Sequence, residues 1–158
     1  MVVNRQRRIS VALDPLKQFA ERARRELRFP DDAVTVCLVS DAAIARLNRL
    51  YRGKRGPTDV LSFPFDARHM RSKSARAPRA DFARGGFSRH GIPQYAGDIA
   101  ISPSTARRNA RRLDRSLPAE LRVLILHGML HLAGYDHETD RGEMDRIERR
   151  LRRRLGLG

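Results

Sequence analysis

LPAELRVLILHGMLHLAGYDH, residues 117–137, opens on a proline that can start a helix and nearly closes on a glycine that can end one. Pro118 has the fixed φ suited to a first helical turn. Leu121, Leu124, Ile125 and Leu126 then lead into His127, and Gly134 suits the left-handed backbone with which helices stop. The run is expected to be one helix carrying His127 and His131, followed by a reversal that carries His137.

Three of the five histidines of the chain fall within the eleven residues HGMLHLAGYDH. On a helix, positions 127 and 131 lie about 6 Å apart along the axis and about 40° apart around it, so both rings face one way. Gly134 lets the chain double back so that His137 returns to the same point. Three neutral imidazoles at about 2.0–2.1 Å form a facial set on zinc that leaves one position open. Two histidines at helical spacing are often only a polar face, but a third beyond a glycine turn weakens that explanation. A closed structural metal, completed by Cys37 or Asp98, is the second alternative. Three histidines without a nearby cysteine suit an open site better than a sealed one. The spacing also matches the zinc-peptidase pattern H-E-x-x-H-x-x-G-x-x-H, except that Gly128 stands where the glutamate base belongs. A glycine cannot accept a proton, and the main chemical reason to expect a peptidase disappears.

Outward from this helix the chain alternates apolar runs and helical stripes. ISVAL (9–13) is a short apolar run ending at Asp14-Pro15, after which Leu16, Phe19, Ala20, Ala23 and Leu27 recur at helical spacing. VTVCLV (34–39) reads as a buried strand, and Ser40-Asp41 can cap a helix with Ile44, Leu47 and Leu50 on its apolar side. Residues 59–63 give another strand, GDIAIS (97–102) another, and Ser102-Pro103 opens an arginine-studded helix to about Arg112. A last helix is expected from about Thr139 to Leu155, with Met144, Ile147, Leu151 and Leu155 apolar. Residues 66–95 lose periodicity and carry seven Lys/Arg against the single acid Asp81, once Asp66 is left with the strand before it. That composition predicts a long basic flexible loop. The expectation is a single domain over 1–158 of α/β (α+β) class, a mixed four-stranded sheet packed with about five helices.

Charge narrows the partners. With 33 Lys+Arg against 18 Asp+Glu, the chain of 158 residues has a net charge of +15 and attracts polyanions, nucleic acid before an anionic membrane. Cys37 is the only cysteine, so no internal disulfide is possible and a reducing compartment fits. MVVNRQRRIS lacks the apolar core of a secretory signal, and no apolar run approaches a membrane span. These features predict a soluble cytoplasmic protein with no membrane association.

Three segments, taken together, resemble a known family. HGMLHLAGYDH, NRLYRGKRGPTDVLSFPFD (48–66) and GDIAIS stand in the order found in the YbeY endoribonuclease family of bacteria, and the likeness covers nearly the whole chain. It implies a metal-dependent endoribonuclease for single-stranded RNA, acting in ribosomal RNA maturation at the 3′ end of the small-subunit RNA and in ribosome quality control. The ribosome or its small subunit is then an expected partner. The family's zinc ligands map onto His127, His131 and His137, with one Zn2+ per chain, and its functional arginine maps onto Arg52.

The residues agree with that chemistry in parts. Zinc polarises a phosphoryl oxygen, and a guanidinium such as that of Arg52 is shaped to stabilise charge on the nonbridging oxygens. Asp98 or Asp136 could orient a histidine, or each could serve a turn. Asp59 and Ser62 suit strand entry and packing. Tyr51 and Tyr135 could stack on bases, though burial is the simpler expectation. Arg107, Arg108, Arg111 and Arg112 and the RRLRRR end suit phosphates held without reading sequence. Two rivals stand beside the ribonuclease: a zinc hydrolase of another substrate, such as a peptidase, and an RNA- or ribosome-binding module with a structural zinc.

Overall fold

The computed structural model describes residues 1–65, 95–136 and 141–157. Along the chain run β1 (Val2–Asn4), α1 (Leu13–Glu26), β2 (Val34–Leu38), α2 (Asp41–Arg52), β3 (Val60–Pro64), β4 (Gly97–Ile101), α3 (Pro103–Arg112), α4 (Leu117–Leu132) and α5 (Glu143–Leu155). Four strands and five helices among the described residues match the expected class. The basic loop expected at 66–95 lies, up to residue 94, outside the described residues.

One strand differs in place. The apolar run at 9–13 does not form it; β1 is Val2–Asn4, at the very start of the chain. The reason is where the backbone polar groups find partners. Val2, Val3 and Asn4 pair in parallel with Val36, Cys37 and Leu38. Ile9 is buried, but its N–H and C=O are taken by the Gln6 side chain, at 2.9 and 2.8 Å. A side-chain clamp replaces the ladder there.

The sheet order is β1-β2-β4-β3, with β1, β2 and β4 parallel and β3 antiparallel at the edge. β2 is buried along its whole length, as an inner parallel strand must be. Val34, Val36 and Leu38 of β2 join Ile99 and Ile101 of β4 in a core built with α1, α4 and α5. The neighbouring row, Leu61 and Ala100, belongs to a smaller cluster on the opposite face, under Ile44 and Leu47 of α2. Alternation along each strand therefore assigns α4 and α2 to opposite faces.

α4 is the centre of the larger layer. Leu121, Val123, Leu124, Ile125, Leu126, Gly128, Met129 and Leu130 are all buried, so the helix is covered around most of its circumference. Its approach to the sheet is set by Gly128. A Cβ at this position would sit 2.8 Å from Cγ2 and 2.9 Å from Cδ1 of the fully buried Ile99. Gly128 thus faces the sheet, and its carbonyl also accepts a 3.3 Å hydrogen bond from the Ser62 hydroxyl on β3. The expected stop at Gly134 holds: φ is 92°, Gly134 N–H donates to His131 O at 3.0 Å and Tyr135 N–H to Leu130 O at 3.1 Å. This is a Schellman closure.

Both predicted serine caps are present: Ser40 accepts from Ala43 N–H and Ser102 from Thr105 N–H, each at 3.2 Å. Asp41 links the two helix starts by accepting from the Ser102 and Thr105 hydroxyls and from Arg108. Burial acts to raise the Asp41 carboxyl, but these three bonds outweigh it and hold it below the ordinary aspartate range. Arg108 is therefore paired with Asp41, a contact between α2 and α3.

The Gly128 contact makes a direct prediction. Gly128→Ala should destabilise the protein by up to about 2 kcal/mol in urea unfolding, because overpacking against Ile99, about 1–3 kcal/mol, exceeds the roughly 1 kcal/mol gained in helix propensity. Combining it with Ile99→Ala should cost less than the sum of the two single changes. A Gly128→Ala protein as stable as its parent would show that α4 does not depend on this approach.

Candidate active site

A cleft of about 970 Å3 runs along β3 and is lined from both of that strand's faces, by Leu61 and Phe63 on one side and Val60 and Ser62 on the other. α2 contributes Leu47, Tyr51 and Arg52 to it, α4 and its closing turn contribute His127, His131, Gly134, Tyr135 and Asp136, and Arg5 follows β1. The fold thus brings Arg52, His127 and His131 to one cavity from two faces of the sheet. His137 lies outside the described residues.

The two histidines are arranged nitrogen to nitrogen. Their Nε2 atoms are 3.1 Å apart, with ring planes at 78°. Two nitrogens on one tetrahedral ion at about 2.0–2.1 Å would lie about 3.3–3.4 Å apart, so the pair is already close to a ligand arrangement. Among the described residues no set of three His, Cys, Asp or Glu side chains completes a metal site.

What orients His127 is a residue outside the expected set. Glu148 of α5, with a side chain 10% exposed, places Oε2 2.9 Å from His127 Nδ1, while Arg152 donates to its Oε1. Burial acts to raise the Glu148 carboxyl, but the His127 hydrogen bond and the Arg152 charge outweigh it and hold the carboxyl below the usual range. An ionised carboxylate can only accept, so His127 carries its proton on Nδ1 and its Nε2 lone pair faces His131. Carboxylate, imidazole and an outward lone pair in that order is the way proteins orient a metal-binding histidine. A signal for Glu148 was present in the sequence. It occupies the buried strip Met144, Glu148, Leu151, Leu155, a lone acid at an apolar position of a helix rich in arginine.

The other expected residues divide. Asp98 lines the cleft but accepts from the Tyr95 hydroxyl, so the carboxylate that orients His127 is Glu148 instead. Burial pushes Asp98 up, against the lowering effect of that bond, and burial together with Asp98 pushes the Tyr95 phenol well above its usual value. Asp136 lines the cleft. Asp59 serves strand entry as expected, accepting from Thr58, Val60 N–H and Asn109. Tyr135 packs against the core, whereas Tyr51 is 52% exposed, contrary to the simpler expectation, with its ring edge-on to Phe63 at 4.9 Å. Cys37 is buried; burial and the nearby Asp98 push its thiol up, against the charge of Arg5.

Comparison with known proteins places this geometry in a context. The family model described as Endoribonuclease YbeY matches residues 1–156. A protein named Endoribonuclease YbeY from Koribacter versatilis (strain Ellin345) is 38% identical over 157 residues, covering 99% of this chain and 86% of its own length. One of the same name from Moorella thermoacetica is 41% identical over 125 residues, covering 79% of this chain and 72% of its own. A solution structure from Thermotoga maritima has a TM-score of 0.57 and 28% identity, over 98% of this chain and 89% of that one.

Removing the charge on the orienting carboxylate should loosen the site without unfolding it. A Glu148→Gln protein is expected to bind Zn2+ about 10–100-fold more weakly than its parent in competition with a chromophoric chelator, with unchanged circular dichroism. Parental affinity in that protein would deny Glu148 this role.

Proposed function

The chain belongs to the YbeY endoribonuclease family, and from that premise we propose a metal-dependent endoribonuclease that cuts single-stranded RNA. The observation that carries this reading is the convergence of Arg52 with a histidine pair already oriented by Glu148 in one cleft. We assign His127, His131 and His137 as ligands of one zinc ion, a choice that fits the all-imidazole donor set, although the same donors also accept nickel or copper. Bound there, the ion supplies Lewis-acid polarisation of a phosphoryl oxygen.

The remaining work falls to the chain's own groups. Glu148 holds the Nδ1 proton of His127 in place and keeps the ring from turning. Arg52, at the exposed end of α2, presents a planar guanidinium to the nonbridging oxygens on which charge accumulates during phosphodiester cleavage. Tyr51, half exposed beside Arg52, offers a ring face for an unpaired base. The net charge of +15 draws the strand in. In the cell we propose ribosomal RNA as substrate, with maturation of the 3′ end of the small-subunit RNA and ribosome quality control as the setting, the cytoplasm as the place and the small ribosomal subunit as partner. Among the described residues no helix is long and apolar enough to cross a membrane.

The packing of Gly128 speaks against the peptidase reading. That position points at Ile99 in the sheet, so the place where a peptidase carries its base does not open on the cleft.

Purified protein should cut single-stranded RNA, and chelation should stop it until zinc is restored. Arg52→Ala is expected to lower kcat by about 10²–10³-fold, the usual loss for one donor to developing negative charge. His131→Ala should abolish cleavage along with metal content. Full RNA cleavage by metal-free His131→Ala protein would sink this assignment.

A further inference from the structure

A second concavity, of about 820 Å3, lies against α2 beyond the cleft. It is lined by Ala45, Arg46, Arg49, Gly53, Arg55 and Gly56. At 100° per residue, Arg46, Arg49 and Gly53 share one strip of the helix, and Arg52 stands about 60° around from Arg49, between that strip and the cleft. The guanidiniums therefore continue from the active site over the end of α2 into this hollow.

The hollow is built in advance. Gly53 ends α2 in left-handed backbone with φ of 65°, and its N–H closes on Arg49 O. Asn48, 5% exposed, then donates from Nδ2 to Gly56 O at 3.0 Å and holds the turn against the helix. That bond fixes the turn carrying Arg55 beside the helical arginines. No acidic side chain lines the hollow. Several other arginines among the described residues do have a carboxylate partner: Arg24 has Glu21, Arg108 has Asp41, Arg152 has Glu148 and Arg154 has Glu26. Three like charges gathered without a carboxylate repel one another, and an anion relieves that repulsion.

We infer that this hollow is a second binding site for the RNA backbone, taking phosphates of the same strand that passes Arg52. The inference rests on the endoribonuclease reading and extends its substrate track beyond the cleft. An acidic protein surface is the other polyanion to consider. The hollow favours RNA because three arginines, two glycines and Ala45 line it, with no aromatic or large aliphatic side chain of the kind that anchors protein interfaces. Arg52 stands next to the hollow's arginine strip around the helix, so a strand that passes Arg52 can reach it.

The test is the salt dependence of binding a fluorescent 2′-O-methyl single-stranded oligonucleotide, its integrity checked on a gel. The triple variant Arg46→Gln, Arg49→Gln, Arg55→Gln should lower the slope of log K against log salt by about 2, and weaken low-salt binding roughly tenfold or more. Its kcat at saturating RNA should match the parent, since none of the three residues lines the cleft. A control of equal charge loss on and after α1, Lys17→Gln, Arg25→Gln, Arg28→Gln, should leave the slope nearly unchanged. An unchanged slope in the first variant, or an equal drop in the control, overturns the assignment; the former result gives the hollow to a protein partner. A parent protein that binds the 2′-O-methyl strand with full slope yet never cuts the unmodified RNA of the same sequence counts against the endoribonuclease reading and not against the hollow.

Discussion

The close seating of α4 on β4 is the contact from which the site follows. Because residue 128 has no side chain, the helix settles onto Ile99 at a distance no other residue type permits without displacement. That seating fixes the rotation of α4, which turns Gly128 inward and His127 and His131 toward the cleft along β3. Ser62 fastens the same helical turn to the edge strand, and the Schellman closure at Gly134 ends the helix within a turn of His131. Helix propensity argues against glycine in mid-helix by about 1 kcal/mol, so packing decides this position.

Much of this was legible in the sequence because it depends on local rules. The serine caps, the proline at the start of α4, the glycine at its end and the one-sided placement of two histidines four residues apart all follow from backbone geometry. YbeY-like segments at 48–66, 97–102 and 127–137 then fixed the family. What was not legible depends on contacts between distant segments. β1 forms at residues 2–4 because β2 offers a parallel edge there, while Gln6 satisfies the backbone of Ile9 and removes its need for a strand. Arg108 looked like one more surface cation until α2 and α3 were seen to meet at Asp41.

Glu148 is the instructive case. Separated by 21 residues from His127, it reaches the ring only because α5 docks beside α4. A buried carboxylate is costly unless paired, and here Arg152 and His127 supply the pairing from two sides. The same arrangement that makes the burial tolerable gives the imidazole one tautomer and one orientation. Around it stand arginines of opposite charge, Arg52 at the cleft and Arg46, Arg49 and Arg55 at the hollow on α2.

The central claim is that Glu148 fixes His127 as the Nδ1–H tautomer, with Nε2 left for a metal. Long-range proton–nitrogen NMR of the histidine rings tests it most directly, before and after Zn2+ is added to chelator-stripped protein. The account predicts a His127 ring protonated at Nδ1, whose Nε2 resonance alone moves on adding zinc, together with that of His131. A His127 ring protonated at Nε2, or ring nitrogens that zinc leaves unmoved, would contradict it.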